Sequence, residues 1–148
     1  MRLLYFIATF ASGILALRGV RWAYFAFIAL GLLYFPMSVG FQLRPSACEL
    51  TFGLSLAIRS LSNFPHMVLF AIFFAMSIAQ FRKPGRSAFI WAAVAVIAMG
   101  ALVEIGQGVS GKGHCRSRDL IPDAIGALLG AGGVLLWNRI RGRRLQAG

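Results

Sequence analysis

The sequence carries four acidic residues against fifteen lysines and arginines, and three of the four, Glu104, Asp119 and Asp123, fall within 20 positions. Gln107 follows Glu104 by three residues, and the segment Lys112-Gly113-His114-Cys115-Arg116-Ser117-Arg118 between the acids supplies cations. Carboxylates beside arginines support two kinds of chemistry. In one, the guanidinium groups hold a phosphate while the acids orient them or bind amine and hydroxyl groups of the same ligand. In the other the cluster is a clasp: Glu104 pairs with Arg116 or Arg118, and Gln107 and Asp123 hydrogen-bond neighbouring helices. Asp119 then caps the last helix, whose first turn tolerates Pro122 because the missing N–H is an orphan there anyway. One cluster can do both. A catalytic version would use Glu104 as general base with His66 as its proton partner. It lacks a nucleophile, since Ser110 and Ser117 are ordinary loop residues.

Other chemistries fail on spacing. Gly106-Gln-Gly-Val-Ser-Gly111-Lys112-Gly113 approaches a phosphate-binding P-loop but lacks the final Ser or Thr that reaches Mg²⁺, and no strand precedes it. His66, His114 and Cys115 do not form the closely spaced ligand pairs that zinc requires, so neither a metal nor another cofactor is expected. Cys48 and Cys115 leave two alternatives open, a disulfide in an oxidising compartment or two free thiols.

The elements that would hold these groups are membrane helices. Of the chain, 59% is hydrophobic and 13% charged, about half the charged share of an ordinary soluble domain. Uncharged runs extend from Trp22 to Leu43 and from Ser60 to Phe81. A third runs from Ser87 to Val103, continuing past Glu104 to about Gly108, and a fourth from Leu120 to Asn138, broken only by Asp123. About 20 residues at 1.5 Å each cross a hydrocarbon core, so each run is read as a span. Leu3–Leu17 is shorter and reads as a first helix in a tight hairpin through Arg18-Gly19-Val20-Arg21, with a tilted or half-inserted helix as the alternative. Leu15-Ala16-Leu17-Arg18 is a poor signal-peptide cleavage site. The expectation is an all-α transmembrane bundle, one domain over residues 1–148, with four long spans plus a short N-terminal helix.

Charge then orients the bundle. Arg18 and Arg21, then Arg82, Lys83 and Arg86, then Arg139, Arg141, Arg143 and Arg144 fall on one side of successive spans with no acid among them. That side is expected to be cytoplasmic, with the N-terminus and the loops 42–63 and 109–119 outside. The net charge of +11 is therefore read as membrane orientation rather than a nucleic-acid face, and the basic tail as an anchor for anionic lipids. Ser46–Ile58 could lie flat on the outer surface. Trp22, Trp91 and Trp137 fall near the cytoplasmic ends, as an interfacial aromatic belt requires. Phe70, Phe73, Phe74 and Phe81 are expected to face lipid or pack. Gly126-x-x-x-Gly130, followed by Gly132 and Gly133, gives the last helix a small-residue face, expected to pack inside the monomer.

Depth assembles the cluster. Glu104 lies four residues before its helix exits near Gly108, roughly 6 Å below that boundary, and Gln107 shares its face. Asp123 lies four residues into the returning helix, and His66 stands near the outer entry of Phe64–Phe81, at the same level. An ionisable group in hydrocarbon needs a partner and is by default a functional hypothesis.

At these residues the chain resembles the VanZ-like family of small bacterial membrane proteins. Glu104-x-x-Gln107, the glycine-rich basic loop and Asp119-Leu-Ile-Pro-Asp123-Ala-Ile-Gly126-Ala-Leu-Leu-Gly130 carry the resemblance, and Asn63-Phe-Pro-His66-Met-Val-Leu-Phe70 looks like the family's histidine-bearing helix start. It covers roughly residues 60–133. The family usually has Asn where this chain has Asp123, and its loop arginine corresponds to Lys112, Arg116 or Arg118. The founding member is associated with low-level resistance to teicoplanin, and the family brings no settled biochemical activity. The resemblance implies a protein of the bacterial inner membrane. The site expected to bind is His66, Glu104, Gln107, Arg116, Arg118, Asp119 and Asp123. Its expected partner is a membrane lipid or lipid-linked cell-wall precursor at the outer face. The alternatives are a non-catalytic accessory subunit of a larger membrane complex and, third, a small enzyme acting on a lipid headgroup.

Overall fold

The apolar runs become helices because a backbone among apolar side chains must satisfy its own hydrogen bonds. The computed structural model describes residues 2–41, 45–49, 55, 58, 63–111 and 115–146, the side chains of residues 2 and 142–146 excepted. Its helices are α1 (Arg2–Leu17), α2 (Arg21–Ser38), α3 (Phe64–Ala79), α4 (Arg86–Ser110) and α5 (Leu120–Gln146), with a 3₁₀ turn, Ser117–Asp119, leading into α5. Among the described residues there is no strand, and one isolated bridge joins Glu49 to Arg116. The protein is all-α, as expected.

Four long spans are not supported by the helix lengths. Two helical stretches, Arg86–Ser110 and Ser117–Arg141, are long and apolar enough to cross a membrane, and at 25 residues each they reach about 37 Å. The other three helices are shorter, α1 and α3 of 16 residues and α2 of 18. An uncharged run overstates its helix when turn-forming residues sit inside it. Within Trp22–Leu43, α2 ends at Ser38, because Pro36 is followed by a turn whose Gly40 and Phe41 take positive φ. Of Ser60–Phe81, helix covers Phe64–Ala79, opened by Pro65 near its N-terminus. In the two long helices only 33% and 28% of the most apolar windows are buried. Leu102, Ile105, Leu128, Leu129, Leu135 and Leu136 all face outward. A soluble core helix would bury such residues, so the outward apolar faces suggest membrane association.

Register gives the directions. Gly126 lies against Met67 and Gly130 against Ala71, so α3 and α5 run parallel. A Cβ at either glycine would fall 2.5 Å from the Met67 carbonyl oxygen or 2.7 Å from that of Ala71. The small-residue face is therefore spent inside the monomer, letting two backbones touch. Gly132 and Gly133, read as part of that face, meet nothing within 4 Å. Gly13 lies by Met76, and Gln80 Nε2 donates to Ala16 O at 2.8 Å, so α1 is parallel to α3 as well. Gly31 lies by Met99 and Gly106 by Phe35, which sets α2 parallel to α4. At the α1–α2 turn Gly19 has φ 82°, and a Cβ there would strike the Ala79 carbonyl. Arg18, Arg21, Arg82, Lys83, Arg86, Arg139 and Arg141 consequently share one end of the bundle. Trp22, Trp91 and Trp137, all well exposed, lie toward that end too. Phe70, Phe73 and Phe74 are buried in the core rather than lipid-facing, with Tyr24 stacked on Phe73 and its hydroxyl 2.9 Å from Ser77 Oγ.

Candidate functional site

The opposite end holds the acids. His66 is in the first turn of α3, where Pro65 starts the helix, and its ring turns toward α5. His66 Nδ1 lies 2.9 Å from Asp123 Oδ1. An N–H on Nδ1 donates to that carboxylate, which makes Nε2 the acceptor nitrogen of the neutral ring. Asp123 is 0% exposed. Its other oxygen, Oδ2, lies over α4 at Gly100, where a Cβ would sit only 2.5 Å from it. Gly100 therefore makes the room in which an Asp side chain fits between the two long helices. One turn further along the same face of α4 stands Glu104, also buried. His66, Glu104, Asp119 and Asp123 all lie within electrostatic reach of one another. Equal depth in the sequence thus becomes true convergence for His66, Glu104 and Asp123.

One expected pairing is corrected. Glu104 does not take the guanidinium of Arg116 or Arg118. Its Oε2 accepts the backbone N–H of Arg116 at 2.6 Å. The guanidinium groups turn to Glu49, with Arg116 Nε 3.5 Å from Glu49 Oε2 and Arg118 Nη1 3.6 Å from Glu49 Oε1. Glu49 is the acid that reading along the chain left aside. It arrives because Cys48 and Cys115 form a disulfide across a sequence separation of 67. Ser46 N–H then donates to Gly108 O, Glu49 N–H to Cys115 O and Ser117 N–H to Glu49 O, at 2.8, 2.9 and 3.1 Å. The signal was present in the sequence, since bonding Cys48 to Cys115 sets residue 49 beside residue 116. Of the stretch 46–58 expected to lie on the surface, residues 46–49 instead dock on the α4–α5 connection. Most of the rest, like Lys112 and His114, lies outside the described residues. Gln107 stands one turn beyond Glu104 on α4, and Asp119 closes the 3₁₀ turn, its N–H bonded to Arg116 O at 2.9 Å.

Cross-linking the chain over so long a loop restricts the unfolded ensemble, a chain-entropy effect of about 4 kcal/mol at most. Cys48→Ser or Cys115→Ser should therefore lower the unfolding free energy by about 2–4 kcal/mol. Thiol labelling of the denatured, unreduced wild type should find no free cysteine. Two labelled thiols would remove the bridge from the account.

Two buried carboxylate oxygens, Glu104 Oε1 and Asp123 Oδ2, have no hydrogen-bond partner among the described residues. Leaving such an atom unsatisfied costs about 1–3 kcal/mol, so each is poised to accept a donor. Among the described residues no group of three or more His, Cys, Asp and Glu side chains is placed to hold a metal ion. The arrangement offers acceptors inside the bundle and two arginines, partly covered by Glu49, at its rim.

No protein-family model matches the chain, no curated protein matches it, and no solved structure matches it.

Proposed function

We propose that the chain is a VanZ-like protein of the bacterial inner membrane, N-terminus outside and C-terminus cytoplasmic. Its site would bind an anionic lipid or lipid-linked cell-wall precursor from the outer face, contributing to envelope homeostasis or resistance to teicoplanin-type antibiotics. In this reading α2–α5 are the four spans, the shorter two accommodated by local bilayer thinning. The segregation of charge supports the orientation, with basic clusters at one end and all four acids toward the other. A disulfide at the acidic end fits an oxidising compartment there.

One observation carries the binding reading. Two buried carboxylates with an open acceptor oxygen each stand behind two rim arginines. A headgroup carrying both phosphate and hydroxyl or amine groups matches that layering, with phosphate to Arg116 and Arg118 and donors to Glu104 and Asp123. The backbone bond from Arg116 to Glu104 favours a second reading, in which the cluster only fixes the loop and the protein is an accessory subunit of a larger membrane complex.

Native mass spectrometry of the detergent-purified protein separates the two. The wild type should carry a lipid adduct that Glu104→Ala and the double variant Arg116→Ala/Arg118→Ala lose while remaining folded, and the adduct's mass names the ligand class. An adduct-free wild type, with variants that merely melt earlier, would leave the structural clasp.

A further inference from the structure

At the end away from the acids, α1 and α3 do not close on each other along their outer edges. Between them runs an apolar groove of about 380 Å³, within the range of small-molecule sites. Phe6, Phe10 and Leu17 of α1 form one wall, Leu69 and Ile72 of α3 the other, and Gly13 opens the floor. From Phe6 to Leu17 the helix rises about 17 Å, close to half of a hydrocarbon core of roughly 30 Å, the depth of one leaflet. The groove ends at Leu17, where Gln80 ties α3 to the end of α1. There the exposed Arg18, Arg21, Arg82 and Lys83 gather, with none of the chain's four acids near them in sequence.

A protein helix is a poor occupant. Helices associate in lipid through small-residue faces that let backbones approach, and this rim is bulky, with Phe10 73% and Leu69 50% exposed. A flexible hydrocarbon chain needs no such face. Basic pockets at membrane depth on one side of a bundle select anionic headgroups. We infer that the α1–α3 groove holds one acyl chain of an anionic phospholipid whose phosphate is met by Arg18 and Arg82. This site rests on the membrane placement of the bundle but is independent of the acidic cluster and its ligand.

The test uses the full-length protein in vesicles containing phosphatidylglycerol or phosphatidylcholine with a photoactivatable group on the acyl chain, followed by peptide mapping. Label should concentrate on residues 6–17 and 69–76 with phosphatidylglycerol. Arg18→Gln/Arg82→Gln, confined to exposed positions, should reduce that labelling roughly thirtyfold, two surface cations being removed. Gly13→Leu should abolish it by filling the floor. A Cβ at Gly13 sits at ordinary contact distance, 3.4 Å from the Phe27 ring, so Gly13→Ala keeps the helices in place and should retain part of the label. Arg116→Ala/Arg118→Ala should leave it unchanged, which separates this site from the acidic one. Even labelling of every outward face, equal labelling by phosphatidylcholine, or Gly13→Leu converting a dimer to a monomer would overturn the assignment.

Discussion

Asp123→Ala should lower the unfolding free energy by about 2–3 kcal/mol, because it removes a fully buried side chain and leaves the half-buried His66 without its acceptor. The side chain is fully buried, 2.9 Å from His66 Nδ1, and fills the space over Gly100. Deleting it therefore adds a cavity between α4 and α5 to the lost hydrogen bond. Asp123→Asn should be far milder, since an amide oxygen still accepts the His66 N–H and the volume is kept. Denaturant titration in mild detergent, with His66→Ala and the double variant completing the cycle, should give a coupling of about 1–3 kcal/mol. Additive losses from the two single variants would mean that the pair does not interact.

Gly126→Ala and Gly130→Ala should each destabilise by about 1–3 kcal/mol, the usual range for overpacking a filled interior. The atoms in the way are backbone carbonyl oxygens of Met67 and Ala71. No side chain can swing aside, so α5 must move off α3, and His66 moves off Asp123 with it. The same helix supplies its own control. Gly132 and Gly133 meet nothing within 4 Å, so alanine there should be neutral or stabilising by up to about 1 kcal/mol through helix propensity. Thermal melts of the four variants read the contrast. Equal effects at all four positions would mean that helix propensity, and not the α3–α5 contact, governs this face.

Much of the architecture was legible because distance along a helix is additive. Each residue advances 1.5 Å, so counting from the chain's charged punctuation placed Glu104, Asp123 and His66 at one depth and the arginine clusters at the other end. Helix lengths were less legible, because the absence of charge says nothing about Pro36, Gly40 or Pro65, which end or begin helices inside uncharged runs. Glu49 was missed for a different reason. Its partners Arg116 and Arg118 are distant in sequence and come to it only through the Cys48–Cys115 bond. The sequence by itself left open whether those two cysteines are bonded or free.

Composition and charge spacing thus determined, without a fold, that the chain is helical, apolar along its helices and polarised, with acid-free basic clusters at one end and the acids at the other. They could not determine how far each helix is rotated about its axis. A helix that is apolar on nearly every side carries no stripe to announce its inward face. Tertiary structure decided that rotation through close contact: Gly126 and Gly130 against the α3 backbone, and Gly100 beneath Asp123. Those contacts turn His66, Asp123 and Glu104 toward one another, because only where a side chain is missing can two backbones, or a backbone and a carboxylate, come together.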